Sequence, residues 1–292
     1  MNIIKAHNLA CPIDGMQLEY HDKQLVCENG HAFDIARQGY VNLLPVQYKR
    51  TKHPGDSKAM VLARTHFLNS GVYAAIANQL NKLVYTQLTA AKETALLDAG
   101  WGEGYYFNAL LNYLSDKDGA TDLSFIGLDI SKDAIYQASK RNKQISWVVG
   151  TNRRPPVADE SIDIILCLFG FLSMDGFKKV LKPGGKIIIV DPGPEHLKEL
   201  REIIYPEIKK SYPARSLETE KTGFSLVNSE VLQFKVTLNN NQQINNLLIM
   251  TPHFYRASKA GRVVACNLQQ LDLTVDVVFS VLEKARESVK LS

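Results

Sequence analysis

The sequence predicts an α/β fold, in which a mainly parallel sheet is flanked by helices and preceded by a small N-terminal β domain. Two observations predict the large domain: short apolar runs alternate with helical stretches, and one of these runs ends in a loop of alternating glycines at 100–104. Strands that alternate with helices favour a parallel sheet with right-handed crossovers. A third observation predicts the small domain, because residues 9–35 are short, alternating runs separated by turn residues.

The elements of the large domain follow from local hydrophobic spacing. Helical spacing begins near residue 57 and continues to about 88, with a break at Gly71. Strands are predicted at 95–98, 125–129, 146–149, 163–169 and 186–191, with further β-like stretches at 223–233, 237–244 and 271–281. Helices are predicted from the glycine loop to about 114, at 133–140, up to 180, and after 196. The predicted division is 1–36 for the small domain, 37–56 for a linker and 57–292 for the large domain.

The composition is that of a globular protein, with 45% hydrophobic and 22% charged residues. A net charge of +4 is too small to prove a nucleic-acid partner. The four cysteines are too widely spaced for a disulfide framework, and the N-terminus has no signal-peptide pattern. The longest apolar stretch, 164–172, is too short to span a bilayer. We therefore expect a soluble, cytoplasmic protein.

The N-terminal segment carries four potential metal ligands at the spacing of a small zinc ribbon: Cys11, Asp14, Cys27 and His31. A hairpin of this size is hard to stabilise without a metal. Asp14 stands where a second thiolate is usual in such a knuckle, and a harder oxygen ligand should weaken a structural zinc site. Zinc binding and a metal-free hairpin held by apolar packing both remain open.

Residues 37–56 are rich in basic and aromatic side chains, with proline and glycine near the end. Lys49, Arg50 and Lys52 are close to Tyr40 and Tyr48, a mixture that suits phosphate binding and base stacking. A solvated surface loop is the alternative interpretation, because most isolated charge runs are no more than that.

The glycine loop is the centre of the predicted site. Gly100, Gly102 and Gly104 allow a tight turn from strand to helix and leave the backbone open to a ligand. Asp98 and Glu103 would repel a pyrophosphate and instead suit a ligand that carries a cation. An acidic residue at the end of the next strand, Asp129, could hold ribose hydroxyls. The glycine pattern alone also fits dinucleotide binders, or a tight turn without a ligand.

Three motifs in order give the chain a resemblance: Asp-x-Gly-x-Gly-x-Gly from Asp98, Gly-Leu-Asp at 127–129, and Lys-Pro-Gly-Gly at 182–185. Together they resemble the AdoMet-dependent methyltransferases of Rossmann-like fold. With the ribbon and linker, the chain further resembles the 23S ribosomal RNA guanine-N1 methyltransferase family. The motifs that carry this resemblance are Gly39-Tyr-Val-Asn-Leu-Leu-Pro-Val-Gln47 followed by Lys49-Arg50, Pro54-Gly-Asp-Ser57, Gly102-Glu-Gly-Tyr-Tyr106, Pro192-Gly-Pro-x-His196-Leu and Met250-Thr-Pro-x5-Ala.

The resemblance implies a class I methyltransferase domain behind a zinc-ribbon-like domain, and methyl transfer from AdoMet to N1 of a guanine in 23S rRNA. It implies zinc at the four ribbon positions and RNA binding through Lys49, Arg50 and Lys52. It also implies pairing of two subunits in a homodimer. The implied cofactor contacts are Tyr73, Asp98, Gly100, Gly102, Glu103, Gly104, Tyr106, Phe107, Asp129, Thr151, Asn152 and His196.

The chain departs from the family pattern at three places: Asp14 replaces a cysteine, Trp101 replaces a small residue in the glycine loop, and 169–172 replaces a more polar acceptor loop. These departures keep open a non-catalytic RNA-binding paralogue. A small-molecule methyltransferase is a second alternative, which leaves the ribbon and basic linker unexplained. The sequence does not identify a general base. Asp191 and His196 lie at the carboxyl edge of the predicted sheet, where ligands bind in such folds.

Overall fold

The computed structural model describes residues 1–49, 51–88, 93–100, 102–117, 121–205 and 222–286. Its strands are β1 Asn2–Ile4, β2 Leu18–His21, β3 Gln24–Cys27, β4 Ala32–Asp34, β5 Tyr40–Asn42, β6 Glu93–Ala99, β7 Asp122–Asp129, β8 Ser146–Val149, β9 Ile162–Leu168, β10 Leu181–Pro192, β11 Phe224–Leu238 and β12 Leu271–Lys284. Its helices are α1 Lys58–Asn69, α2 Ala74–Gln87, α3 Tyr105–Ser115, α4 Lys132–Arg141, α5 Met174–Val180, α6 Lys198–Ile204, α7 Asn241–Met250, α8 His253–Arg256 and α9 Lys259–Asn267.

The main sheet has the order β11-β12-β10-β9-β6-β7-β8-β5, and β1 also pairs with β7. Strands β5 to β10 within it are parallel, whereas β12 is antiparallel to both β10 and β11. From the central strand β6, the chain adds β7 and then β8 on one side of the sheet. It then returns to place β9 on the other side of β6. The strand order therefore reverses between β6 and β9, and in open α/β sheets ligands bind at the carboxyl ends of the strands at such a point.

Core packing explains why these segments form a sheet with helices on its faces. Strand β6 is buried along all but its first residue, and Leu96 and Leu97 on opposite faces are fully inaccessible to solvent. Side chains on alternate faces of a strand serve two separate layers. Leu96 belongs to one hydrophobic cluster with α2 and α3, while Leu97 belongs to a second cluster on the other face.

The N-terminal segment is joined to the main sheet more closely than a separate domain would be. Strands β2, β3 and β4 form a small antiparallel sheet, as expected for a ribbon. On either side of it, β1 pairs in parallel with β7 and β5 pairs in parallel with β8. Apolar ribbon side chains, among them Leu18 and Leu25, share one cluster with Leu97 of the sheet. The division at residues 36 and 56 stays a prediction. The pairing of β1 with β7 and of β5 with β8 crosses it.

One secondary-structure prediction was wrong. Residues 237–244 were expected to be extended, but β11 ends at Leu238 and helix α7 begins at Asn241. The side chain of Asn240 caps this helix by accepting a hydrogen bond from the Gln243 N–H at 2.9 Å. Apolar residues at helical spacing, Ile244, Leu247 and Leu248, are then buried together. Over the described ranges, none of the helices combines the length and the apolar character needed to cross a membrane.

Candidate functional site

A cavity of about 1080 Å³ lies at the carboxyl edge of the sheet, where β6 and β9 diverge. It is lined by the loops after β6, β7, β8, β9 and β10, and by segments 54–73 and 250–256. Seven of the residues predicted to contact a cofactor line it: Tyr73, Gly100, Tyr106, Asp129, Thr151, Asn152 and His196. The sequence prediction therefore converges on one place in the structure.

The glycine loop turns sharply from β6 into α3. Gly102 and Gly104 have φ values of 71° and 78°, which only glycine adopts without strain. A Cβ at Gly104 would lie 2.6 Å from Cη2 of Trp147, and one at Gly102 would lie 2.5 Å from Nη1 of Arg64. The loop is thus fixed by its packing as well as by its dihedral angles. Trp101, which departs from the family pattern, lies outside the described residues.

Asp98 is the last residue but one of β6 and is 1% exposed. Neither of its carboxylate oxygens has a hydrogen-bond partner among the described residues. Burial raises the pKa of Asp98 well above its usual range, and the nearby Asp129 and Glu103 carboxylates raise it further. Leaving a buried, charged carboxylate without a partner costs several kcal/mol, about as much as removing one partner of a buried ion pair. This orphaned group fits a ligand that brings a positive charge.

Asp129 lies at the end of β7, on the wall of the same cavity. Its Oδ2 accepts a hydrogen bond from the Gly102 N–H at 2.8 Å, and its Oδ1 accepts one from the Ser131 N–H at 2.7 Å. Burial raises the pKa of Asp129, while these two bonds lower it. Each carboxylate oxygen retains a lone pair, so the side chain is oriented to accept hydrogen bonds from ligand hydroxyl groups.

The other five predicted contacts are not among the described residues that line the cavity: Asp98, Gly102, Glu103, Gly104 and Phe107. Glu103 is 1% exposed, and its Oε1 accepts a hydrogen bond from Nη2 of Arg141 on α4 at 3.3 Å. Phe107 is fully buried against Phe125, with ring centroids 4.9 Å apart. Their predicted cofactor contacts stay predictions, and the contacts observed are with the protein itself.

Tyr73 and His196 form a pair on the cavity wall. Oη of Tyr73 lies 3.4 Å from Nε2 of His196, and Nδ1 of His196 accepts a hydrogen bond from the Asp276 N–H at 3.3 Å. Burial lowers the pKa of His196 to about 4, and the neighbouring charges of His253 and Arg201 act in the same direction. The ring is therefore neutral near pH 7. With Nδ1 accepting, its proton is on Nε2, from which it donates to Tyr73.

Acidification is expected to destabilise the wild-type protein more than a His196→Gln variant. Because the pKa of His196 falls from its ordinary value of 6.5 to about 4 in the folded protein, the unfolded chain binds a proton between these values and the folded protein does not. Stability is lost as the pH falls through this window, by up to about 3 kcal/mol for this group. Denaturant unfolding of both proteins at about pH 7 and about pH 4.5 measures the difference. An equal loss in both would contradict the assignment.

The loop after β9 closes another side of the cavity. Phe169 has φ 49°, an uncommon backbone conformation for a bulky residue, and its ring stacks on His196 with centroids 6.0 Å apart and 28° between the planes. Nδ2 of Asn152 donates hydrogen bonds at 3.0 Å to the carbonyls of Ala99 and Phe171, so it ties the loop after β6 to the loop after β9. Asn152 thus positions the cavity wall.

Sequence analysis missed Arg64 and the segment that it holds. Nη2 of Arg64 lies 2.5 Å from Oδ2 of Asp56 and 3.4 Å from the carbonyl of Met250. Ser131 donates from Oγ to the Asp56 carbonyl at 2.8 Å, so residues 54–56 become part of the wall beside Asp129. The sequence shows Arg64 as a basic residue within a predicted helix, but no local pattern predicts that it lies near the glycine loop.

Only part of the predicted RNA-binding set can be placed. Lys49 is half-buried and Lys52 is exposed, on the segment that leads from β5 to the cavity wall. Arg50 lies outside the described residues. Tyr48 and Pro54 line the cavity, so Lys49 and Lys52 lie on the segment between two lining residues.

The four predicted metal ligands meet in the ribbon. One ligand atom from each of Cys11, Asp14, Cys27 and His31 lies within 4.8 Å of all the others. Nδ1 of His31 is 3.5 Å from Sγ of Cys11, 3.4 Å from Sγ of Cys27 and 2.9 Å from Oδ2 of Asp14. Tetrahedral zinc with bonds of about 2.0–2.3 Å separates its ligands by about 3.3–3.8 Å. A hydrogen bond from Asn29 lowers the pKa of Asp14, which keeps this carboxylate ionised. The two nitrogen–sulfur distances lie in this range, the nitrogen–oxygen distance is shorter, and the types of donor fit zinc.

Two family profiles match parts of the chain. A family profile described as "RlmA, N-terminal", a zinc ribbon, matches residues 9–52, and one described as "Methyltransferase domain" matches residues 97–189. The chain is 31% identical over 277 residues to the 23S rRNA (guanine(748)-N(1))-methyltransferase of Streptomyces fradiae, which covers 94% of this chain and 95% of that protein.

Two further likenesses complete the comparison. The chain is 30% identical over 271 residues to a Bacillus subtilis protein provisionally named a 23S rRNA (guanine-N(1)-)-methyltransferase, covering 91% of this chain and 94% of that one. Among solved structures, the YcgJ protein of Bacillus subtilis aligns with a TM-score of 0.45 at 19% identity, covering 72% of this chain and 100% of that chain.

Proposed function

The chain belongs to the family of 23S rRNA (guanine-N1)-methyltransferases, and we propose that it transfers a methyl group from AdoMet to N1 of a guanine in 23S rRNA. One observation in the structure supports this most directly. A single cavity combines carboxylates suited to a cationic nucleoside cofactor with exposed aromatic and arginine side chains suited to RNA. A small-molecule methyltransferase needs only the first of these two features.

The residues at the cavity fit AdoMet. The unpaired Asp98 would balance its positive charge, and Asp129 would hold its ribose hydroxyls. Besides Asp129, the residues of the cavity lining proposed to contact it are Tyr73, Gly100, Tyr106, Thr151, Asn152 and His196. When bound, AdoMet supplies a methyl group on a sulfonium sulfur, which leaves as a neutral thioether when the methyl carbon is attacked.

The protein must also remove the proton that N1 of neutral guanine carries. Among the described residues, the carboxylates that line the cavity are those of Asp56, Asp129 and Asp191. Leu168 of β9 and Val190 of β10 are partners in the sheet. The residues that follow them, Phe169 and Asp191, both line the cavity. We assign the general base to Asp191. His196 donates from Nε2 and is therefore a positioning group.

Zinc and RNA binding complete the proposal. We infer that Cys11, Asp14, Cys27 and His31 hold a structural zinc ion and so shape the ribbon. The ribbon and the basic segment with Lys49 and Lys52 would then guide the RNA to the cavity mouth. Pairing of two subunits, which the family resemblance implied, stays a prediction.

The purified protein is expected to methylate N1 of one guanine in a 23S rRNA hairpin fragment, and an Asp191→Asn variant is expected to lose roughly 100-fold in kcat. Its affinity for AdoMet and RNA should be unchanged, because only proton removal is impaired. Transfer from labelled AdoMet, with mass analysis of the RNA digest, measures both points.

The matched control is Asp175→Asn, an exposed aspartate in the first turn of α5 that should have wild-type activity. Normal activity of Asp191→Asn would refute the base assignment alone. Failure of the wild-type protein, with AdoMet bound, to methylate any fragment of 23S rRNA would refute the proposed function.

A further inference from the structure

We propose that the rim of the cavity binds unpaired nucleotides of the RNA by stacking their bases on Tyr48, Phe169, Phe171 and Tyr255. These four residues are here called the aromatic rim. The inference rests on the proposed function and specifies its substrate: the target guanine and its neighbours are presented as a single strand, and not within a duplex.

The aromatic rim is exposed although it lines a cavity. The exposed fraction is 42% for Phe169, 54% for Phe171 and 61% for Tyr255, and Tyr48 is half-buried. Phe169 and Phe171 follow β9, Tyr255 belongs to α8, and Tyr48 belongs to the turn at 46–48. Clustered exposed aromatic side chains from three separate segments are unusual on a surface without a partner, and they mark an interaction site.

Arginines accompany three of the four rings. The guanidinium of Arg153 lies 4.9 Å from the ring centroid of Phe171, and that of Arg154 lies 5.0 Å from the ring of Tyr48. Nη1 of Arg154 also donates to Oη of Tyr48 at 2.7 Å. Arg256 follows Tyr255 in the sequence and lines the same cavity. No ion pair to any of these three arginines is found within the described part of the chain, so their charge is available to a polyanion.

This combination selects the partner. Phosphates attract the arginines, and bases stack on aromatic rings and guanidinium planes. The faces of a base are accessible to such rings only when the base has left the helical stack, because in an RNA duplex they are covered by neighbouring pairs. Charge complementarity together with the aromatic rings therefore points to unpaired RNA.

Two residues of the aromatic rim are held in place by contacts within the protein. Phe169 is stacked on His196, and its N–H donates to the Val190 carbonyl at 2.8 Å. The Phe171 carbonyl accepts from Asn152. A backbone at φ 49° in Phe169 is retained only when its surroundings impose it, and such strain is concentrated at functional sites. A preorganised aromatic rim loses little conformational entropy on binding, which favours affinity for RNA.

The test measures binding of a short single-stranded RNA that carries 2-aminopurine, and of the same RNA in a duplex, to the full chain without AdoMet. Stacking quenches 2-aminopurine fluorescence, so quenching is expected with the single strand and not with the duplex. Phe171→Ala should weaken binding about tenfold and reduce quenching, and Phe171→Tyr should restore both. Arg153→Gln should weaken binding and lower the salt dependence.

The matched control is Tyr85→Ala. Tyr85 is also exposed and near a cation, Lys117, but it lies on α2 away from the described cavity lining. Its binding should equal that of the wild type. Calorimetric titration with AdoMet verifies that each variant keeps a folded cofactor site.

The inference is overturned if Phe169→Ala and Phe171→Ala bind the single strand as the wild type does, or if the duplex binds equally well. Its failure differs from failure of the proposed function. A wild-type protein that methylates 23S rRNA while the rim variants behave normally refutes the rim alone. A protein that shows rim-dependent binding and quenching, but methylates no 23S fragment, supports the rim and refutes the function.

Discussion

Replacing Asp98 with asparagine is expected to weaken AdoMet binding about 100-fold without reducing the stability of the protein. The carboxylate is 1% exposed and has no hydrogen-bond partner in the described structure, so its charge is costly in the free protein. That cost is recovered only when a cation arrives. Removing the charge thus removes an interaction made only with the ligand, and we expect an unfolding temperature equal to or above that of the wild type.

Calorimetric titration with AdoMet and thermal unfolding test the two halves of this prediction. Asp163→Asn is the matched control, because Asp163 accepts hydrogen bonds from Nζ of Lys182 and from the Ala95 N–H, each at 2.8 Å, at the opposite end of the sheet. That variant should lose stability and keep its AdoMet affinity. Equal AdoMet affinity in Asp98→Asn and the wild type would show that Asp98 does not face the cofactor.

The same titration reports protonation. Because the pKa of Asp98 is raised well above its usual range in the free protein, a bound cation should lower it again and release a proton. AdoMet affinity should therefore rise with pH through the pKa of the free protein. Titrations in two buffers of different ionisation enthalpy measure the proton released, and the Asp98→Asn variant should release none from this group.

Sequence reasoning succeeded where a local pattern determines the structure. The family and the α/β methyltransferase fold are confirmed, as the whole-length relatives and the methyltransferase profile show. Glycine spacing placed the turn after β6, and the ligand spacing placed four side chains that meet in the ribbon. Asp129 was found because the end of a parallel strand lies at the ligand edge of the sheet.

Sequence reasoning failed where the structure depends on side-chain orientation or on contacts between segments that are distant in the sequence. Glu103 was predicted to face a cationic ligand because of its charge. The direction of a side chain in a glycine loop is set by tertiary packing, and the partner of Glu103 is Arg141 on α4. Helix α7 was missed although Ile244 and Leu247 have helical spacing, because residues 237–244 were interpreted as a β-like stretch. Arg64 meets Met250 only through the fold, and no sequence window contains both.

Removing the metal is expected to lower the unfolding temperature by about 10 °C or more. Zinc binding provides folding free energy to small ribbons, and each kcal/mol corresponds to about 2–4 °C in a chain of this size. The effect should extend beyond the ribbon, because Leu18 and Leu25 share a hydrophobic cluster with Leu97 and Ile126 of the main sheet. Loss of ribbon order would expose that face of the sheet. Metal analysis and thermal unfolding before and after chelation measure this effect.

Substitution at the ligands separates zinc binding from simple packing. Asp14→Cys should bind zinc at least about tenfold more tightly, because a thiolate is a better ligand for structural zinc than a carboxylate. Cys27→Ser should abolish it, and Cys266→Ser, a half-buried thiol outside the cluster, should leave the metal content unchanged. A protein purified without zinc, whose unfolding temperature is insensitive to chelators and to Cys27→Ser, would instead be a metal-free hairpin. Asp14 would then contribute its hydrogen bonds to His31 and Asn29 rather than a metal bond.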